Sequence, residues 1–162
     1  MYKTGILIMS DKGARGERED RSGQQIRELL GVKYSIDYYK MIPDEKDQIK
    51  QEICHACDDL SLALLLTSGG TGFSERDVTP DATMEVIEKP AMGIPEAMRY
   101  YGLQKTPKAM LSRAVAGIRG KTLVINLPGS VRGVQESLEA VSPVLDHALD
   151  IIKGTATECG QG

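Results

Sequence analysis

Leu64–Thr83 reads LLLTSGGTGFSERDVTPDAT. Together with the preceding Leu62-Ala63 it forms a continuous apolar run from Leu62 to Thr67, the pattern of a strand buried on both faces and hence of a parallel sheet covered by helices. The run stops at Ser68-Gly69-Gly70-Thr71-Gly72, where glycines leave bare backbone N–H groups at the sheet edge for an anion to approach. Hydroxyls on Thr67, Ser68 and Thr71, with carboxylates at Asp77 and Asp81 around Thr79-Pro80, suit a phosphate or a Mg²⁺-bound phosphate. The plainer reading is a strand, a glycine turn and a helix cap, and the acidic Asp77–Asp81 segment tilts the choice toward a ligand site. Neither a Walker A ending nor a G-x-G-x-x-G fingerprint is present.

Outward from this segment, strands and helices alternate. Gly5–Ser10 reads as a first strand, Ser22–Leu30 as a helix, Val32–Ile42 as a second strand, and the segment opened by Pro43-Asp44-Glu45 as a helix to about Leu60. Three short helices are expected at Ala82–Glu88, Pro95–Tyr101 and Lys108–Arg113, a buried strand at Thr122–Leu127, and two further helices at Val131–Val141 and Pro143–Ile152. The pattern predicts an α/β fold, a three-layer α/β/α sandwich with a mostly parallel central sheet. One domain is expected over residues 1–153, with a frayed tail over 154–162.

In such a sheet the carboxyl ends of the strands open onto one edge. Asn126-Leu127-Pro128-Gly129-Ser130 passes from a strand into a helix that Ser130 caps, a second place for phosphate at free N–H groups. Ser10-Asp11 follows the first strand and leads into a polar loop, Lys12–Asp20, long enough to fold over a substrate. Asp44 follows the second strand, either as a helix cap or as a carboxylate converging on Asp77. Two phosphate cradles with paired carboxylates, and no His or Cys nucleophile nearby, favour metal-assisted phosphoryl or nucleotidyl transfer over acyl transfer.

The 162 residues carry a net charge of −3, with Lys and Arg scattered, which excludes nucleic acid as the principal partner. No apolar run reaches membrane-spanning length and no secretory leader precedes the first strand, so a cytoplasmic protein is expected. Cys54 and Cys57 form a C-x-x-C in mid-helix, away from the helix N-terminus that a redox pair needs and without a second ligand pair for zinc; with Cys159 they read as structural thiols.

Taken in order, Ser10-Asp11, Ile42-Pro43-Asp44-Glu45, Thr67–Gly72, Arg76–Thr83, Leu111-Ser112-Arg113 and Asn126–Ser130 closely resemble the MogA/MoaB family of molybdenum cofactor biosynthesis, related to the G domains of gephyrin and of its plant counterpart. The resemblance spans nearly the whole chain. It implies a homotrimer that binds molybdopterin and transfers AMP from Mg-ATP onto its terminal phosphate, releasing pyrophosphate and handing the product to a metal-inserting enzyme of the MoeA type. It assigns activity to Asp44 and Asp77; on that basis Asp77 is expected as the Mg²⁺ or substrate-orienting carboxylate and Asp44 as the second, positioning the pterin or a metal-bound water. The amides of Gly69–Gly72 and of Gly129-Ser130 would then hold phosphate oxygens, with Ser112 and Arg113 as further polar contacts. Paralogues that bind pterin without adenylylating it make a carrier or scaffold the alternative. A competence-damage-type hydrolase sharing the domain is disfavoured because no second domain is present.

Overall fold

The computed structural model describes residues 1–156. A six-stranded sheet has the order β2-β1-β3-β6-β5-β4, with β1 (Tyr2–Met9), β2 (Tyr34–Ile42), β3 (Leu64–Ser68), β4 (Lys89–Pro90), β5 (Ala116–Arg119) and β6 (Thr122–Leu127). The first four strands in that order are parallel, and β5 and β4 are added antiparallel at one edge. Around the sheet lie α1 (Asp11–Ala14), α2 (Arg21–Leu30), α3 (Lys46–Cys54), α4 (Thr79–Val86), α5 (Gly93–Leu103) and α6 (Val131–Lys153).

Side-chain alternation in the strands builds two cores. Ile6, Ile8, Leu64, Leu66, Leu123, Ile125 and Leu127 face α2, α5 and α6, where they meet Ile26, Met98, Val134 and Leu138. Leu7, Met9, Leu65 and Val124 point the other way, onto Ile49 and Ile53 of α3 and Ala82 and Val86 of α4. This is the expected three-layer α/β/α sandwich with a mostly parallel sheet. Burial on both faces is why β3 shows no polar alternation.

The structure corrects several elements. The second strand starts at Tyr34, because Val32 lies in the turn before it and is 92% exposed. The helix expected to run to Leu60 is α3 followed by a π-helical turn, His55–Asp59, which holds Cys57 buried and leaves Cys54 half-buried, both as free thiols. The helix expected from Ala82 begins at Thr79, with Pro80 in the first turn where its missing N–H costs nothing. Lys108–Arg113 is instead a 3-10 turn at Pro107–Leu111, after which Ser112 is extended and Arg113 lies outside any helix or strand. The two last helices are one, α6, which runs through Pro143, and the short strands β4 and β5 were not expected. α6 ends at Gly154, whose φ of +84° gives it a left-handed cap. Of the frayed tail expected from residue 154, residues 157–162, with Cys159, lie outside the described residues.

Candidate active site

Where the parallel strands end, β1, β2, β3 and β6 each contribute a turn to one cleft of about 820 Å³. Its lining includes Ser10, Asp11, Asp44, Ser68, Gly69, Gly70, Asp77, Gly129 and Ser130, with Met9 and Met41 as apolar floor. The structure therefore brings together residues from all the turns that the sequence had singled out.

The two glycine turns are built against each other. The Ser68 hydroxyl donates to the Pro128 carbonyl at 2.8 Å, and the Gly69 N–H donates to the Leu127 carbonyl at 3.1 Å. The Gly69 amide, expected to be free for an anion, is thus spent on the sheet. No protein acceptor among the described residues takes the N–H groups of Gly70, Thr71 and Gly72, and of these three residues only Gly70 lines the cleft. Gly69 (φ +101°) and Gly70 (φ +67°) both need left-handed backbone. A Cβ at Gly69 would lie 2.4 Å from the Met9 carbonyl oxygen, and one at Gly129 would lie 3.3 Å from Gly69 Cα. Ser130 caps α6 by accepting the Gly133 N–H at 3.0 Å, and Ser10 caps α1 by accepting the Gly13 N–H at 3.0 Å.

Asp11 and Asp44 are paired through their backbones. Asp11 N–H donates to Asp44 Oδ2 at 3.1 Å and Asp44 N–H donates to Asp11 Oδ1 at 3.0 Å, locking the β1 and β2 turns together. Arg76 forks onto Asp11 at 2.9 and 3.1 Å and reaches Glu45 at 2.9 Å. That guanidinium bond holds the Asp11 carboxyl below the usual carboxylate range, whereas burial pushes the Asp44 carboxyl up, with the charges of Asp11 and Asp77 adding to the push. Asp11 is therefore committed to the scaffold; of the other carboxylates that line the cleft, Asp44 and Asp77 stand beside the Ser68–Gly70 turn, and Glu19 and Asp20 come from the segment before α2. Asp77 Oδ2 accepts the Ser74 N–H at 3.0 Å, and a Cβ at Gly72 would stand 2.8 Å from that oxygen, so glycine leaves room for the carboxylate.

Thr67 and Asn126 are fully buried behind the turns. Asn126 Nδ2 donates to Thr67 Oγ1 and to Thr83 Oγ1, each at 3.0 Å, and Asn126 Oδ1 accepts the Val115 N–H at 3.2 Å. These groups tie β3, β6 and α4 together, and neither Thr67 nor Asn126 lines the cleft, so the structure places them behind the site and not, as expected, among its wall residues. Their position facing inward, rather than along the sheet edge, is not visible in a sequence motif. Thr71 is buried as well. Asp81 lies outside the cleft and is held by Arg113 at 3.0 Å, which lowers its pKa.

Ser112 and Pro128 open onto a second cleft of about 450 Å³, lined also by Met98, Arg99, Lys108 and Arg132. Both clefts include Ser130. Sequence reasoning missed Arg99 and Arg132, because each sits on a helix face where an exposed arginine is commonplace; only the packing of α5 against α6 turns both toward one cavity.

Residues 5–147 match the family model described as a probable molybdopterin binding domain. A molybdopterin adenylyltransferase of Helicobacter pylori is 42% identical over 154 residues, covering 93% of this chain and 87% of that protein. The molybdopterin adenylyltransferase of Escherichia coli K12 is 38% identical over 142 residues, covering 86% and 73%. Among solved structures, the molybdopterin biosynthesis enzyme MoaB of Thermus thermophilus superposes with a TM-score of 0.91 at 51% identity, covering 95% of this chain and 98% of that one. By sequence match and by fold, the chain belongs to the molybdopterin-binding family of molybdenum cofactor biosynthesis.

Proposed function

We propose that this chain, as a single domain over residues 1–153, is a molybdopterin adenylyltransferase. The observation that carries the reading is the meeting of two clefts at Ser130. The larger, with the free amide of Gly70 and the carboxylates of Asp44 and Asp77, suits the triphosphate and nucleoside of ATP. The smaller is walled by Pro95, Met98 and Pro128 and ringed by Arg99, Lys108 and Arg132, which suits a flat pterin with an anionic tail. A phosphate at the N-terminus of α6, beside Gly129 and Ser130, would then point from one cleft into the other.

There, an oxygen of the pterin phosphate attacks the α-phosphorus of ATP in line. A new phosphoanhydride bond forms, the bond from the α-phosphorus to the bridging oxygen breaks, and pyrophosphate leaves with that electron pair. A phosphate dianion is already a nucleophile, so no general base is required. What remains for the protein is alignment by backbone amides and by Asp44 and Asp77.

Among the described residues no group of three or more acidic, His or Cys side chains is placed to cage a metal. Mg²⁺ usually needs only one or two carboxylates when it arrives with phosphates, and the oxygens of Asp77 and Asp44 beside the glycine turn fit that role. When bound there it would neutralise charge on the pyrophosphate. We further propose a homotrimer in the cytoplasm, where Mg-ATP is supplied, passing its product to a metal-inserting enzyme of the MoeA type.

The test is pyrophosphate release from Mg-ATP with and without molybdopterin, with mass detection of the product. Pterin-dependent release and a product heavier by one AMP are expected. Tight pterin binding without pyrophosphate would make the chain a carrier or scaffold.

A further inference from the structure

We propose that Arg113 is a positioning residue that holds the loop from Thr71 to Asp77 in shape and so aims the Asp77 carboxylate into the larger cleft. Arg113 ties both ends of this loop to one group. Its Nε donates to the Gly72 carbonyl at 2.9 Å and Nη2 donates to the Asp77 carbonyl at 2.5 Å. Its backbone N–H donates to the Thr71 carbonyl at 2.8 Å. Asp81, in the first turn of the following helix, takes Nη1 at 3.2 Å and Nη2 at 3.0 Å, fixing the guanidinium from the far side.

Of the five N–H donors on a guanidinium, these contacts use four, so all but one of the Arg113 donors are taken by its own chain before any phosphate arrives. Phe73, Ser74, Glu75 and Arg76, between the two tied carbonyls, are exposed, so packing alone does not hold the loop. Arg113 is itself anchored, because Arg99 donates to the flanking carbonyls of Ser112 and Ala114 at 3.3 and 2.9 Å. A planar fork can span two carbonyls and a carboxylate where an ammonium cannot. The inference rests on the reading above in assigning Asp77 to the transfer, but its structural half stands apart from turnover.

The full-length chain is compared as wild type, Arg113→Lys and Arg113→Ala by hydrogen exchange and by pyrophosphate release. In both variants peptides spanning residues 70–79 should exchange faster while those from β3 and β6 stay protected. Pyrophosphate release should lose at least ~10-fold in kcat with KM for ATP and pterin within about 3-fold, and millimolar guanidinium should restore part of the rate to Arg113→Ala. Arg113→Ala combined with Asp77→Asn should be no slower than Asp77→Asn alone, as expected of residues acting as a unit. A raised KM with kcat intact would make Arg113 a direct phosphate ligand and overturn the proposal. Unchanged exchange over 70–79 would overturn it whatever the turnover. A wild type that releases no pyrophosphate would defeat the transferase reading while leaving the exchange result to decide this one. Should Arg113→Ala fail to fold, Asp81→Asn removes only the far anchor and should shift exchange in the same direction by less.

Discussion

Gly69 makes the cost of the phosphate cradle measurable. Its φ of +101° is foreign to residues with a Cβ, and a Cβ there would lie 2.4 Å from the backbone oxygen of Met9, which cannot move without disturbing β1. Gly69→Ala should therefore cost about 3 kcal/mol, a large part of the ~5–15 kcal/mol that holds a domain of this size together, read as a lowered urea midpoint at unchanged m-value. A midpoint within error of the wild type would show that the turn yields easily. Cys57 supplies a second, pH-dependent case. Burial pushes its thiol up to about 11 from an ordinary 9.0, so the folded chain keeps the proton where the unfolded chain releases it. The associated stability is whole below pH 9 and is lost as pH rises toward 11. Since the thiolate is the reactive form, iodoacetamide at about pH 8 should leave Cys57 unmodified in the folded chain and label it in urea, as mapped by mass spectrometry; labelling of the folded chain would contradict its burial. Residue types alone singled out Asp44 and Asp77, because each is a carboxylate just past the carboxyl end of a strand in a parallel sheet. They could not separate Asp11, neutralised by Arg76, from Asp44, nor show that Thr67 and Asn126 face inward, since those facts depend on partners far along the chain.

At the scale of elements, Pro143 led to two helices where one exists. Proline removes the N–H that would bond the Glu139 carbonyl, and here the Ser142 hydroxyl takes that carbonyl at 3.5 Å, a long bond that relieves only part of the loss. Because Pro143 is exposed, replacing it removes no packing. Pro143→Ala should stabilise the chain by about 1–2 kcal/mol and raise the melting temperature by roughly 2–4 °C for each kcal/mol. A lower melting temperature would mean that α6 needs its bend to follow the sheet. The same reasoning explains the other element errors. β3 and β6 were legible because a strand buried on both faces is uniformly apolar, whereas β5, Ala-Gly-Ile-Arg, and the two-residue β4 carry no pattern of their own and exist through pairing with β6 and with each other. Likewise, the π-helical turn at His55–Asp59 has the composition of ordinary helix and is set by where Cys57 and Leu62 must be buried.

For the molecule as a whole, alternation of buried strands and amphipathic helices was enough to give the layers, and the short turns pointed to the sheet edge where the candidate cleft lies. Assembly is a separate matter, because a surface reveals a partner only once folded. Tyr100 and Leu103 on α5 and Met110 and Leu111 on the adjoining 3-10 turn are all exposed. These large apolar side chains come from the same two elements that supply Met98, Arg99, Lys108 and Ala109 to the second cleft. Covering such a patch is a common reason for a chain to self-associate. The proposed trimer would bury it and complete the rim of that cleft. Sedimentation equilibrium at micromolar concentration should give three times the chain mass, and Met110→Lys, which places a charge on the patch without touching the core, should shift the mass toward that of one chain at unchanged helical signal. A native chain sedimenting as a monomer would refute the trimer. A trimer indifferent to Met110→Lys would place the interface on another face and leave the second cleft open to solvent, so the pterin would have to be held by Arg99, Lys108 and Arg132 of one chain alone.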